Sequence, residues 1–194
     1  MKNKFLVILL LVFSQSFSQT VSEINKTLNI PDSLTHKKEI RVYKWYQTTN
    51  VSELFRMYFD GKKWEYIFYK HYNKLSDNNQ STFEKIILTP QNEDLVWLKI
   101  GITDIDHLPN LEEIRYKLKK AEIVFYDDQY VVSENKMYTT DGVGYQALYK
   151  EENVFNNITF NNYQSYLDTY PNVDELIAYA KLISVISEEF GIWK

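Results

Sequence analysis

Between Tyr43 and Tyr72, eleven of thirty residues are aromatic, and they fall in three runs, 39–47, 53–60 and 63–72, separated by short polar breaks. Runs rich in Tyr, Phe, Trp, Val and Ile form strands, because ring and branched side chains pack well on a pleated, half-buried surface. The second break holds Asp60-Gly61, a pair suited to a two-residue turn with left-handed backbone at both positions. The stretch 39–72 is therefore expected to be a three-stranded antiparallel meander with a tight second hairpin. Side chains alternate across a strand, which puts Trp64, Tyr66, Phe68 and Tyr72 on one side and Ile67 and Tyr69 on the other. Large rings on both sides are not the pattern of a sheet with one wet face. Two arrangements fit. In one, a side packs on helices while the other carries cross-strand tyrosine pairs with their hydroxyls in water. In the other, Trp64, Tyr66 and Phe68 form an exposed aromatic platform that binds a glycan or a protein, since Tyr and Trp give contact area at small entropic cost.

The remaining chain supplies helices and further strands. A polar stretch over 73–81 precedes a fourth strand at 83–88, closed by Thr89-Pro90. Leu95, Val96, Leu98 and Ile100 behind Glu93 and Asp94 predict a short helix over 92–100, stopped by Gly101. Asn110 and Glu113 have the spacing of a capping box for a second helix carrying Leu111, Ile114 and Leu118. Strands return at 123–126 and 130–133 around Asp127-Asp128-Gln129, at 136–140 and 143–149 around Asp141-Gly142, and at 154–160. A short helix over 163–169 follows. The last helix carries Val173, Leu176, Ile177, Ala180, Ile183, Ile186 and Phe190 as an apolar stripe and stops at Gly191. Strands in runs with helices between and after them describe one α+β domain over 19–194, strand-rich at 39–89, helical at 92–120, strand-rich at 121–160 and helical at 163–190. Its architecture is an antiparallel meander sheet with helices inserted mid-chain and a C-terminal helix packed on the sheet.

Chemistry is sparse in this pattern. The chain has no cysteine, which removes thiol nucleophiles, disulfides and cysteine zinc sites. A formal net charge of -4 gives no basic footprint for nucleic acid. His36, His71 and His107 are each more than thirty residues from the next, without metal-ligand spacing. None of the five glycines belongs to a nucleophile elbow or a phosphate-cradling loop. Asp104, Asp106 and His107 form the densest polar cluster, but it lacks the glycine and terminal glutamate of a calcium loop and reads as a turn before Pro109. The adjacent acids at 127–128, 151–152 and 188–189 point different ways on a strand or helix, so none makes a carboxylate pair for glycoside cleavage. No catalytic residue, metal site or cofactor is indicated. The expected function is a non-catalytic binding or interaction domain with a protein or glycan partner. The alternatives are a small apolar-ligand carrier, should the sheet curl around a cavity, and a metal-independent hydrolase built on scattered acids and histidines.

The N-terminus gives the location. Lys2 and Lys4 precede nine apolar residues, Phe5 to Phe13. Nine helical residues rise about 13.5 Å, under half of a hydrocarbon core of about 30 Å, so the run is too short to span a bilayer and reads as a signal peptide over 1–18. Ser16 and Ser18 occupy the two small-residue positions ahead of the cut, and no cysteine follows for lipidation. No later segment is apolar for long enough to cross a membrane as a helix. The abundance of Asn, Lys, Ile and Tyr follows AT-rich codons, so the expected host is a bacterium and the expected location periplasmic or secreted. The mature chain is expected to begin at Gln19. Intact mass of the protein recovered from periplasm or medium checks this, and retention of residues 1–18 would overturn it.

Overall fold

The three aromatic runs form β1 (Lys38–Tyr46), β2 (Val51–Phe59) and β3 (Trp64–Tyr72) in the computed structural model, which describes residues 21–73, 81–137 and 142–193. β4 (Thr82–Ile87) pairs with β3. β5 (Lys119–Tyr126) and β6 (Gln129–Lys136) pair with each other. β7 (Val143–Glu151) and β8 (Val154–Thr159) complete the larger sheet, six antiparallel strands in the order β4-β3-β2-β1-β7-β8. The helices are α1 (21–28), α2 (Glu93–Gly101), α3 (Tyr163–Thr169) and α4 (Asp174–Phe190). This is the expected α+β architecture, with the C-terminal helix on the sheet. The signal peptide, most of the 73–81 loop and the turn at Asp141 lie outside the described residues.

Both sides of the meander are covered, which accounts for its rings on both sides. Register puts Ile40, Val42, Phe55, Met57 and Tyr66 on one side, where they meet Val96 and Ile100 of α2 and Leu176, Tyr179, Ile183 and Phe190 of α4. Tyr43, Leu54, Ile67 and Tyr69 take the other side and meet Ile24 and Leu28 of α1 together with Leu34. The Tyr43 hydroxyl donates to Asn25 Oδ1 at 2.6 Å, so this tyrosine is paired inside the protein rather than wet. α1 is absent from the sequence expectation, although Val21, Ile24 and Leu28 have helical spacing. It ends at Asn29, whose φ of 54° is the left-handed conformation common at helix C-termini.

Several local expectations change. The Asp60-Gly61 connection has four residues, 60–63: Asp60 Oδ1 accepts from Lys62 N at 2.7 Å and Lys63 N at 2.9 Å, and of these residues Gly61 alone has positive φ, 102°. The carboxylate closes the turn. The two-residue turn with both residues left-handed occurs instead at Asp127-Asp128, with φ of 50° and 58°. The second helix is not formed beyond a 3₁₀ turn at Arg115–Lys117. Asn110 N does donate to Glu113 Oε2 at 2.6 Å, but Asn110 Oδ1 accepts from Thr159 N at 2.9 Å and Leu111 N donates to Thr159 O at 3.0 Å, so the segment is tied to β8. On α4, Tyr179 and Leu182 face the core while Ile177 is exposed, a rotation of the expected stripe.

The second covered side is fastened by buried charge. Glu39 and Arg41 are both 0% exposed. Glu39 Oε1 accepts from Arg41 Nε at 2.8 Å and Arg56 Nε at 2.9 Å, while Oε2 accepts from the backbone N–H of Thr35 at 2.9 Å and of His36 at 3.1 Å. Arg41 spends its remaining donors on Pro31 O at 2.5 Å and Ser33 O at 3.2 Å, which straps residues 31–36 across the sheet. Burial pushes the Glu39 carboxyl up, but the two guanidiniums and the His36 hydrogen bonds outweigh it and hold the pKa at about 2. A carboxyl lowered on folding stabilises the protein above its unfolded pKa of 4.5 and loses that contribution as pH falls from there toward 2. The loss is expected to be about 3 kcal/mol at about 1.4 kcal/mol per pH unit. Glu39→Gln should cost about 3–5 kcal/mol at neutral pH, because Arg41 is left buried without its anion, and should flatten the stability profile between those two pH values. Denaturant midpoints across that range, for both proteins, check the pair of effects.

Candidate functional site

The β5–β6 hairpin forms a sheet of its own and, among the described residues, pairs with no strand of the six-stranded sheet. Its register sets Ile123 opposite Val132 and Phe125 opposite Tyr130 on one face, with Ala121 beside them; Val124 and Val131 lie on the reverse face. Ile123 is 74% exposed, Phe125 62%, Tyr130 78% and Val132 66%. The left-handed pair Asp127-Asp128 matches the twist of the flanking strands, which holds this register. Phe125 and Tyr130 meet edge to face with ring centroids 5.0 Å apart, and Lys119 bridges to Glu134 at 3.0 Å near the base. Contact with the body is made at that base, where the Lys120 ammonium lies 5.8 Å from the Tyr170 ring centre and Thr169 Oγ1 donates to Met137 Sδ at 3.2 Å. Four large apolar side chains thus share one solvent-facing surface on a rigid ladder. Patches of this kind mark places where a protein meets another molecule.

The aromatic residues expected to form a platform occupy different surroundings. Tyr66 is 5% exposed and packs on Phe190, with centroids 5.4 Å apart; Phe68 is 4% exposed and meets Trp193 at 6.2 Å. Trp64 is half-buried between Phe59 at 5.4 Å and Trp97 at 5.0 Å. Tyr69, on the opposite side of the strand, is 4% exposed. These rings are on one face as parity requires, but α4 and the residues after it cover that face, so no open platform exists at 64–68.

The histidines are spread over three settings. His36 Nδ1 donates to Glu39 Oε2 at 2.9 Å, and the His36 ring stacks on Tyr58 at 4.1 Å. His71 is buried with neither ring nitrogen hydrogen-bonded, and desolvation pushes its pKa down against the opposing pull of Glu23. His107 is exposed beside Asp106, 3.3 Å away, in the turn that buries Ile105. Among the described residues no three metal-ligating side chains come together. A cleft of about 480 Å³ lies between the ends of β1 and β8 and the 110–115 segment, lined by Gln47, Asn110, Glu112, Glu113, Arg115 and Asn161 among others. That lining is mixed, with Leu111 and Tyr166 beside the polar groups. No protein-family model, curated protein or solved structure matches this chain.

Stability separates the two aromatic groups. Tyr66→Ala removes a core ring and should cost about 3–5 kcal/mol, whereas Phe125→Ser should cost under about 1 kcal/mol because its ring is 62% exposed and meets Tyr130 of the same hairpin. Equal losses in chemical denaturation would show that the hairpin packs on the body.

Proposed function

We propose that this protein is a non-catalytic interaction domain, exported from a bacterial cell, that binds a protein through the β5–β6 hairpin. The observation that carries this reading is the shared exposed face of Ile123, Phe125, Tyr130 and Val132. Aromatic residues flanked by aliphatic ones are the usual energetic centre of a protein contact. Their ladder is already formed, so little conformational entropy is lost on docking. A protein is favoured over a glycan as partner. Two of the four side chains are aliphatic, and a sugar needs convergent hydrogen-bonding groups that this face does not offer. Export fits the leader read from Lys2 through Ser18.

A photo-crosslinking amino acid placed at Tyr130, in the cell that makes the protein, tests the reading. A discrete protein adduct is expected at this position and not at Gln164, an exposed residue on α3. Equal labelling at both positions, or no adduct at 130, would sink it.

A further inference from the structure

We propose that His71 is an acid-sensitive catch for α1: on taking up a proton it releases this helix from the sheet while the six strands and α4 stay folded.

The placement of the ring is the first argument. His71 follows Ile67 and Tyr69 on the side of β3 that α1 covers, with Ser52 of β2 and Phe83 of β4 directly opposite it. It is 1% exposed, and neither ring nitrogen has a hydrogen-bond partner. A neutral imidazole in this position forgoes the hydrogen bonds that buried polar groups ordinarily make, and a phenylalanine would fill the space without that loss. An imidazolium there is worse, because it has two donors and no acceptor. Desolvation therefore keeps the ring neutral and pushes its pKa below the ordinary 6.5.

The surrounding charges make the second argument. Glu23 of α1 pulls the other way, and it is exposed, as is Lys26 of the same helix. Lys85 of β4 stands opposite Tyr69, and Arg56 of β2 stands opposite Ile67, where it is bound to Glu39. Glu53, Lys70 and Glu84 alternate to the reverse side of the sheet. A protonated ring thus has its counter-charge at the solvent edge of α1, and it is free to meet that charge only once the helix moves off.

The way α1 is held makes its release local. The helix has eight residues, too few to persist away from the sheet. The segment after it is fixed by Arg41 and Glu39, and that contribution is lost only as pH falls below 4.5. Between pH 6.5 and 4.5 the helix is freed as a short tether, which uncovers Tyr43, Leu54, Ile67 and Tyr69 while residues 31–36 stay strapped. The docked state binds fewer protons than the released one, so docking weakens as pH falls through 6.5. One proton sets the limit at about tenfold per pH unit, until the docked ring is itself protonated.

Amide hydrogen exchange of the folded protein, corrected for the intrinsic rate at each pH, tests this. Protection of 25–28 is expected to fall by up to about tenfold per unit between pH 6.5 and about 5, while that of 176–186 in α4 is unchanged. His71→Phe and His71→Gln, neither of which takes up a proton, should hold α1 protection constant over that range. His36 and His107 remain in both variants, so the difference belongs to His71. Protection of α1 indifferent to pH in the original protein, or a fall equally steep in either folded variant, would overturn the proposal. Loss of protection in α4 in step with α1 would overturn it as well, since the whole domain would then be opening.

Discussion

The Glu39 carboxylate, held between Arg41 and Arg56 beneath the sheet, is the interaction on which the second covered side depends. Two of the chain's three arginines serve it. A buried ion pair is a poor source of stability by itself, since desolvation offsets most of the attraction. Its effect here is geometric. The guanidinium of Arg41 reaches Pro31 O and Ser33 O, and the carboxylate holds the N–H groups of Thr35 and His36, so the segment after α1 is fixed in one route across the sheet. That route lays α1 on Tyr43, Leu54, Ile67 and Tyr69. Without it those side chains would face water, and the sheet would have the single covered side that its alternation contradicts.

Double coverage explains what could be read from the sequence of the fold and what could not. The strands were legible because ring-rich runs with polar breaks have few other solutions, and α4 because its stripe extends over four turns. The identity of each turn was not. Asp-Gly reads as a tight two-residue turn, yet Asp60 uses its carboxylate to close a four-residue one, a choice made by one side chain. The box at Asn110 and Glu113 was correctly spaced and half formed, but a helix needs the following N–H groups to bond within it. The backbone of Leu111 bonds to β8 instead. Local capping signals lost there to a long-range strand contact, which no window of neighbouring residues contains. α1 went unread for a related reason: eight residues make a weak periodic signal when tertiary packing, not propensity, stabilises them.

The candidate site was legible as structure and hidden as a surface. Both runs, 123–126 and 130–133, have strand composition and lie within β5 and β6. A short run that is apolar on both faces is the pattern of a buried strand, so the sequence favoured enclosure. Trp64, Tyr66 and Phe68 suggest an open platform by their density, whereas α4 and the residues after it cover Tyr66 and Phe68. Exposure is a property of the whole packing arrangement. Parity assigns residues to a face without saying whether anything covers that face.

The edges of the six-stranded sheet are guarded against further strands. Unpaired edges invite other strands, and charges placed on them discourage it. β4 carries Glu84 and Lys85 in its middle, and β8 carries Asn156 and Asn157, with Asn156 donating its amide inward to Ile105 O and Leu108 O at 2.8 Å. Both edges of the six-stranded sheet are therefore interrupted by polar groups. In the hairpin, 123–126 with 130–132 form an uncharged stretch between Asp127-Asp128 at the tip and Lys119, Lys120, Glu122 and Glu134 toward the base. Its turn also departs from the cheapest chemistry. Two aspartates occupy left-handed backbone that glycine or asparagine would take at less cost, and Asp is among the few other residues that tolerate it. Placing acids there strains the turn slightly and sets two negative charges at the end of the apolar face.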